Sequence, residues 1–140
     1  MASVVYNNFK KNTLIGVNLL QDDVKCILVD DTYTPDIDNH ANYSDVTGEV
    51  VGIGYSTSGV SLTGKTLSAD NDNDKAIFSA DDVIWLSTTI TARGAVIYKH
   101  DNTPETSCLV AYIDFGSNRS SQAGDFSLTW SASDGILNIQ

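Results

Sequence analysis

From about Glu49 to the C-terminus the sequence is a succession of short alternating runs cut by Gly, Ser, Asn and Asp, and no stretch holds the period of a long helix. Strands of that kind present one apolar and one polar face, so they bury their apolar side chains by pairing and then stacking as sheets. The pattern predicts an all-β fold: an antiparallel two-sheet sandwich, jelly-roll or immunoglobulin-like, with a short N-terminal helix or arm. A length of 140 residues is enough for one domain with a real core. The expected division is an arm or short helix over residues 1–12 and a single sandwich over 13–140.

Charge narrows the partners. With 18 acidic against 8 basic side chains and a net charge of −10, the surface repels phosphate, which argues against nucleic acid. The carboxylates are spread along the chain as on a solvated surface, not gathered in a disordered tail. No apolar run approaches the roughly 18 residues of a membrane span, and no apolar segment follows the two N-terminal lysines. These features predict a chain made and kept in an aqueous, cytoplasmic compartment, without a membrane partner. Cys26 and Cys108 sit in apolar runs and read as small hydrophobes more readily than as ligands or a disulfide.

Along the chain, residues 4–12 fit a short helix or arm with Val5 and Phe9 on one face. The apolar runs 13–20 and 24–30 around Gln21-Asp22-Asp23 predict a hairpin. Residues 31–48 have no steady period and predict a long loop with a turn of helix near Tyr43 to Val46; loops of that length usually act on something or fold over something. Val60 and Leu62 share a parity that Leu67 breaks, so Gly64 marks a change of register. Residues 70–74 predict a turn, and Val83 and Trp85 share a face. In 90–99, Ile90, Ala92, Gly94, Val96 and Tyr98 face the core. Strands are also expected over 108–115 and 125–130, joined by a Gly/Ser-rich turn, with Phe126, Leu128 and Trp130 inward, and a last strand holds Leu137 and Ile139.

Several motifs tempt a chemical reading. Gly59 to Thr66, GVSLTGKT, matches the phosphate-binding loop letter for letter, but the residues that follow, LSADNDND, cannot open the helix whose N-terminus would face the phosphates. Asp70, Asp72 and Asp74, with Asp81 beyond, have calcium-loop spacings, yet Lys75 stands where such a loop needs glycine; a solvated turn is the plainer reading. Asp114-Phe115-Gly116 spells a kinase magnesium motif without the rest of a kinase. His40 and His100 neighbour no nucleophile arrangement. Paired carboxylates such as Asp30-Asp31 and Asp81-Asp82 point to opposite faces if they lie on strands. Trp85 and Trp130 fall at inward positions, which favours core packing over sugar stacking. The expectation is therefore no enzyme, with no catalytic, cofactor or metal site.

The order LIGVNLLQDDVKCILVDD, GIGY (52–55), ADDVIW (80–85), TARGAVIY (91–98) and AYIDFG (111–116) resembles small virion proteins of tailed phages and prophages, found among head and connector components. The resemblance covers most of the chain from about Leu14. It implies a non-enzymatic β-sandwich acting as a capsid cement or decoration protein on the capsid exterior, with the major capsid protein as partner and a homodimer or homotrimer on the shell. A tail, fibre or connector protein is the alternative within the particle, and a carbohydrate-binding attachment module the alternative of another class. The segments expected to be free for partner contact are the arm, through Val4, Val5, Tyr6 and Phe9, and the long loop, through Tyr33 and Tyr43.

Overall fold

Two long strands form the frame. In the computed structural model, which describes residues 2–14 and 16–140, the segments read as separate short strands join into β6 (Val83–Lys99) and β7 (Leu109–Leu128), an antiparallel hairpin whose ladder runs from Val83↔Leu128 to Tyr98↔Leu109. The elements before them are β1 (Val4–Val5), α1 (Asn7–Leu14), β2 (Val24–Val29), a 3-10 turn (Tyr43–Asp45), β3 (Val60–Ser61), β4 (Thr66–Asp70) and β5 (Lys75–Ser79); β8 (Leu137–Ile139) follows. They form two antiparallel sheets, one ordered β1-β7-β6-β2-β3 and one ordered β4-β5-β8. The predicted two-sheet all-β architecture is what the chain adopts.

The Gly/Ser-rich stretch expected to be a turn stays in the ladder, because hydroxyls on facing strands bond to one another: Thr91 to Ser120 at 2.8 Å and Thr88 to Ser121 at 2.6 Å. Breaks in register near Ser87, at φ 52°, and Ala123, at φ 47°, accompany a sharp coil of the ribbon. Phe115 and Phe126 would lie about 35 Å apart along an extended strand. Their ring centroids are 6.3 Å apart, so β7 bends back over its own apolar face. The strand ends at Leu128, short of Trp130, which packs half-buried beside the core with its Nε1–H on the Asp81 carbonyl at 3.0 Å.

The expected hairpin between 13–20 and 24–30 does not form. Thr13 lies in the last turn of α1, and the Asn18 side chain accepts the N–H groups of Leu20 and Gln21 while the Asp22 carboxylate accepts that of Asn18. These local bonds favour a turn over a strand. Ile15 lies outside the described residues. β2 pairs instead with β6, from Val24↔Lys99 to Val29↔Gly94. It is covered on both faces, and Val24 and Cys26 through Val29 are all buried.

The inward positions assigned to Ile90, Ala92, Gly94, Val96 and Tyr98 are buried, and Ala95 and Ile97 on the opposite face are buried too. The register change expected at Gly64 is where the chain leaves β3 in one sheet and enters β4 in the other. Both cysteines are free thiols.

Candidate interaction surface

Five of the six residues expected to face a partner are instead tied inside or along the fold: Val4 and Val5 are paired in a sheet, and Tyr6, Phe9 and Tyr33 are buried. Val4 and Val5 form β1 and pair with Tyr112 and Ala111 on the edge of β7, so the arm is a strand of the sheet. The α1 helix runs past the boundary expected at residue 12. The Tyr6 hydroxyl lies 2.8 Å from that of Tyr33, which lies 3.0 Å from His40 Nδ1, and the Tyr33 and His40 rings stack. The Asp36 N–H also reaches His40 Nδ1, at 3.2 Å, and makes this nitrogen an acceptor. Burial raises the Tyr33 hydroxyl to about 12. The arm is held in because its apolar side chains are more stable packed along a sheet edge of their own chain than in water.

Tyr43, the sixth, is half-buried in the 3-10 turn and belongs to a carboxylate cluster that sequence reading missed. Glu49 accepts the hydroxyl protons of Tyr43 and of Tyr55, the latter at 2.6 Å, and the N–H of Ser58 at 2.9 Å. The Tyr98 hydroxyl closes the cluster by donating to the Ser58 carbonyl at 2.8 Å. Burial, and then the hydrogen bond to Glu49, push Tyr43 up to about 12. The long loop thus folds over something: Tyr43 N–H bonds Ser107, Leu109 N–H bonds Ala41, and Asn7 N–H bonds Ile37. The only signal for Glu49 in the sequence is one carboxylate at the head of the apolar run VVGIGY.

The motifs resolve into packing. Gly59 has φ +70° and lies so close to the chain of β2 that a Cβ there would collide with the Cys26 carbonyl; Gly64, at φ +60°, lies as close to the Asp81 carboxyl. Lys65 donates to the Asp22 carbonyl, and Thr66 opens a strand, so no helix N-terminus faces the loop. The Asp70 carboxylate accepts the N–H groups of Asp72 and Asn73 and the Asn73 side chain, a self-contained turn. Asp114 receives Arg93 Nε at 3.0 Å and the Gly116 N–H at 2.9 Å, and the Arg93 bond holds its carboxyl below the usual range. Among the described residues, no group of His, Cys, Asp and Glu gathers as a metal site would require.

What lies open is an apolar stripe formed by the outer face of β6 and by the segment 51–53 bridged to it. Val51 is 94% exposed, Ile53 70%, Leu86 67% and Ile84 56%. Alternation with buried Val50 sends Val51 and Ile53 outward, as alternation with Val83 and Trp85 does for Ile84 and Leu86. The two runs are neighbours: Ile53 bridges Thr89, whose N–H bonds Ile53 O at 3.0 Å, and a Cβ on Gly54 would meet the Leu86 carbonyl at 3.0 Å. Asp30 and Asp31 line a shallow concavity beside Val51, and Asp125 bonds the Ser87 N–H at the other end. Large apolar side chains grouped in water and rimmed by carboxylates have the composition of a contact surface.

Comparison of the chain with protein-family models, with curated proteins and with solved structures returns no match.

Proposed function

We propose that this chain is a non-enzymatic structural protein of a tailed-phage or prophage virion, a cement or decoration protein that binds the major capsid protein lattice through its Val51–Ile53–Ile84–Leu86 face. The observation that carries the reading is that stripe: four large apolar side chains held open, Ile84 and Leu86 on the long paired ribbon and Val51 and Ile53 on the segment bridged to it at Thr89. The ribbon is anchored by a core that buries both faces of β2, so Ile84 and Leu86 are presented on a paired strand, which lowers the entropy cost of binding. The carboxylate rim favours a partner whose apolar pocket is bordered by Lys or Arg. The net charge of −10 keeps the unbound chain soluble before assembly.

Trp85 is buried and Trp130 is half-buried with its indole edge held on the Asp81 carbonyl, so no pair of open rings offers a stacking platform for a sugar, and the capsid reading is favoured over an attachment module. The test uses heads of the encoding phage purified without this protein. Added chain is expected to co-sediment with them at a fixed ratio to the major capsid protein. The Ile53→Asp, Leu86→Asp double variant, with an unchanged circular dichroism spectrum, should bind at least about a hundredfold more weakly, as for loss of two central contacts. A chain found at a few copies in the tail, or one that binds glycans and not heads, would replace this reading.

A further inference from the structure

β4 is the last strand of its sheet, and Thr66, Leu67, Ser68 and Ala69 are all exposed. The ladder shows which of its main-chain groups face outward. Ile136 donates its N–H to the Phe78 carbonyl at 2.8 Å, so the groups of Phe78 face β8 while those of Ile77 and Ser79 face β4. Their partners on β4 are Ser68 and Thr66, which leaves the N–H and C=O of Leu67 and Ala69 directed away from the sheet. Such an edge is a template for another strand. The usual protections are missing from β4: it has no proline, no lysine and no bulge.

The charges around β4 select the strand that fits. Lys65, whose ammonium also donates to the Asp22 carbonyl of its own chain, precedes it, Asp70 ends it, and Asp72 and Asp74 follow. An antiparallel second copy sets each Lys65 beside the acidic end of the other strand, whereas a parallel one sets carboxylates against carboxylates. We propose that two copies of this chain join edge to edge through β4, antiparallel about a two-fold axis at Ser68, so that their three-stranded sheets merge. In that register Leu67 faces the partner's Ala69, and the same pair recurs across the axis, each exchanging both main-chain hydrogen bonds. Thr66 meets the partner's Asp70, and no like charges stand opposed. Because the joint uses only β4 and its flanks, it does not rest on the virion reading.

Sedimentation velocity of the full chain over a wide concentration range is expected to show a monomer–dimer equilibrium. Ala69→Pro removes an outward N–H and no bond of the β4–β5 ladder; it should weaken the dimer about tenfold or more with an unchanged circular dichroism spectrum. Lys65→Glu and Asp72→Lys should each weaken association alone, and an equimolar mixture of the two should regain it, since the mixed dimer sets each reversed charge against its opposite. A chain that stays monomeric throughout, a dimer indifferent to Ala69→Pro, or a mixture no tighter than its components overturns the proposal. If Ala69→Pro proves unfolded, the mixing experiment decides by itself.

Discussion

At the scale of single residues, Glu49 gathers donors from three separate positions of the chain. It accepts from two tyrosine hydroxyls and one backbone N–H in a partly buried site, so its removal strands three donors at once. Glu49→Ala is expected to cost about 2–4 kcal/mol of unfolding free energy, read from urea titrations, and Glu49→Gln distinctly less because its amide oxygen still accepts. Gly59 and Gly64 teach the converse lesson. They match a phosphate-loop pattern by letter, yet each is required by its positive φ, and Gly59 also by the backbone of β2, which leaves no room for a Cβ.

Among elements, the N-terminal arm and the long loop hold each other down. β1 lies along β7, α1 follows it, and the Tyr6–Tyr33–His40 chain of polar contacts joins them to the loop. Tyr33→Phe removes the hydroxyl between Tyr6 and His40 and should lower stability by about 1 kcal/mol. The more telling measurement is hydrogen exchange: amides in residues 4–14 and 33–41 should gain exchange rate together in that variant, while the β6–β7 ladder keeps its protection. Independent loosening of one segment alone would show that the two do not act as a unit.

The behaviour of the whole molecule with pH follows from groups held away from their ordinary values. Asp45 is held low by the N–H groups of Ala41 and Asn42, and Asp36, Asp70, Asp101 and Asp114 are lowered by their own hydrogen bonds. A depressed carboxyl contributes stability above its unfolded value, near 4, and loses it as pH falls through the folded one. Tyr33 and Tyr43, raised to about 12, act in the other direction: their contribution is complete below about pH 10 and is lost as pH climbs towards 12. Thermal melts should therefore show a plateau between these limits, with an acid limb below about pH 4 and an alkaline limb above about pH 10. Tyrosinate absorbance should appear late in the folded protein and at the ordinary pH in urea.

The alternation along residues 90–99, the turn residues around 70–74 and the parity break at Gly64 were enough, by themselves, to determine an all-β chain, the inner face of its central strand and the point where it changes sheets. Each is local, written in the period of the strand or in the φ that a glycine allows. Pairing is not local, so only the tertiary structure decided that β2 lies against β6 rather than against 13–20, and that a Gly/Ser stretch remains in the ribbon. The same holds for the surface. Val51 and Ile53 alternate like core residues, and Tyr6 and Phe9 sit in a polar N-terminal segment like surface residues, yet the first pair is exposed and the second buried. Exposure depends on what the rest of the chain brings over each side chain, and no property of the side chain itself records that.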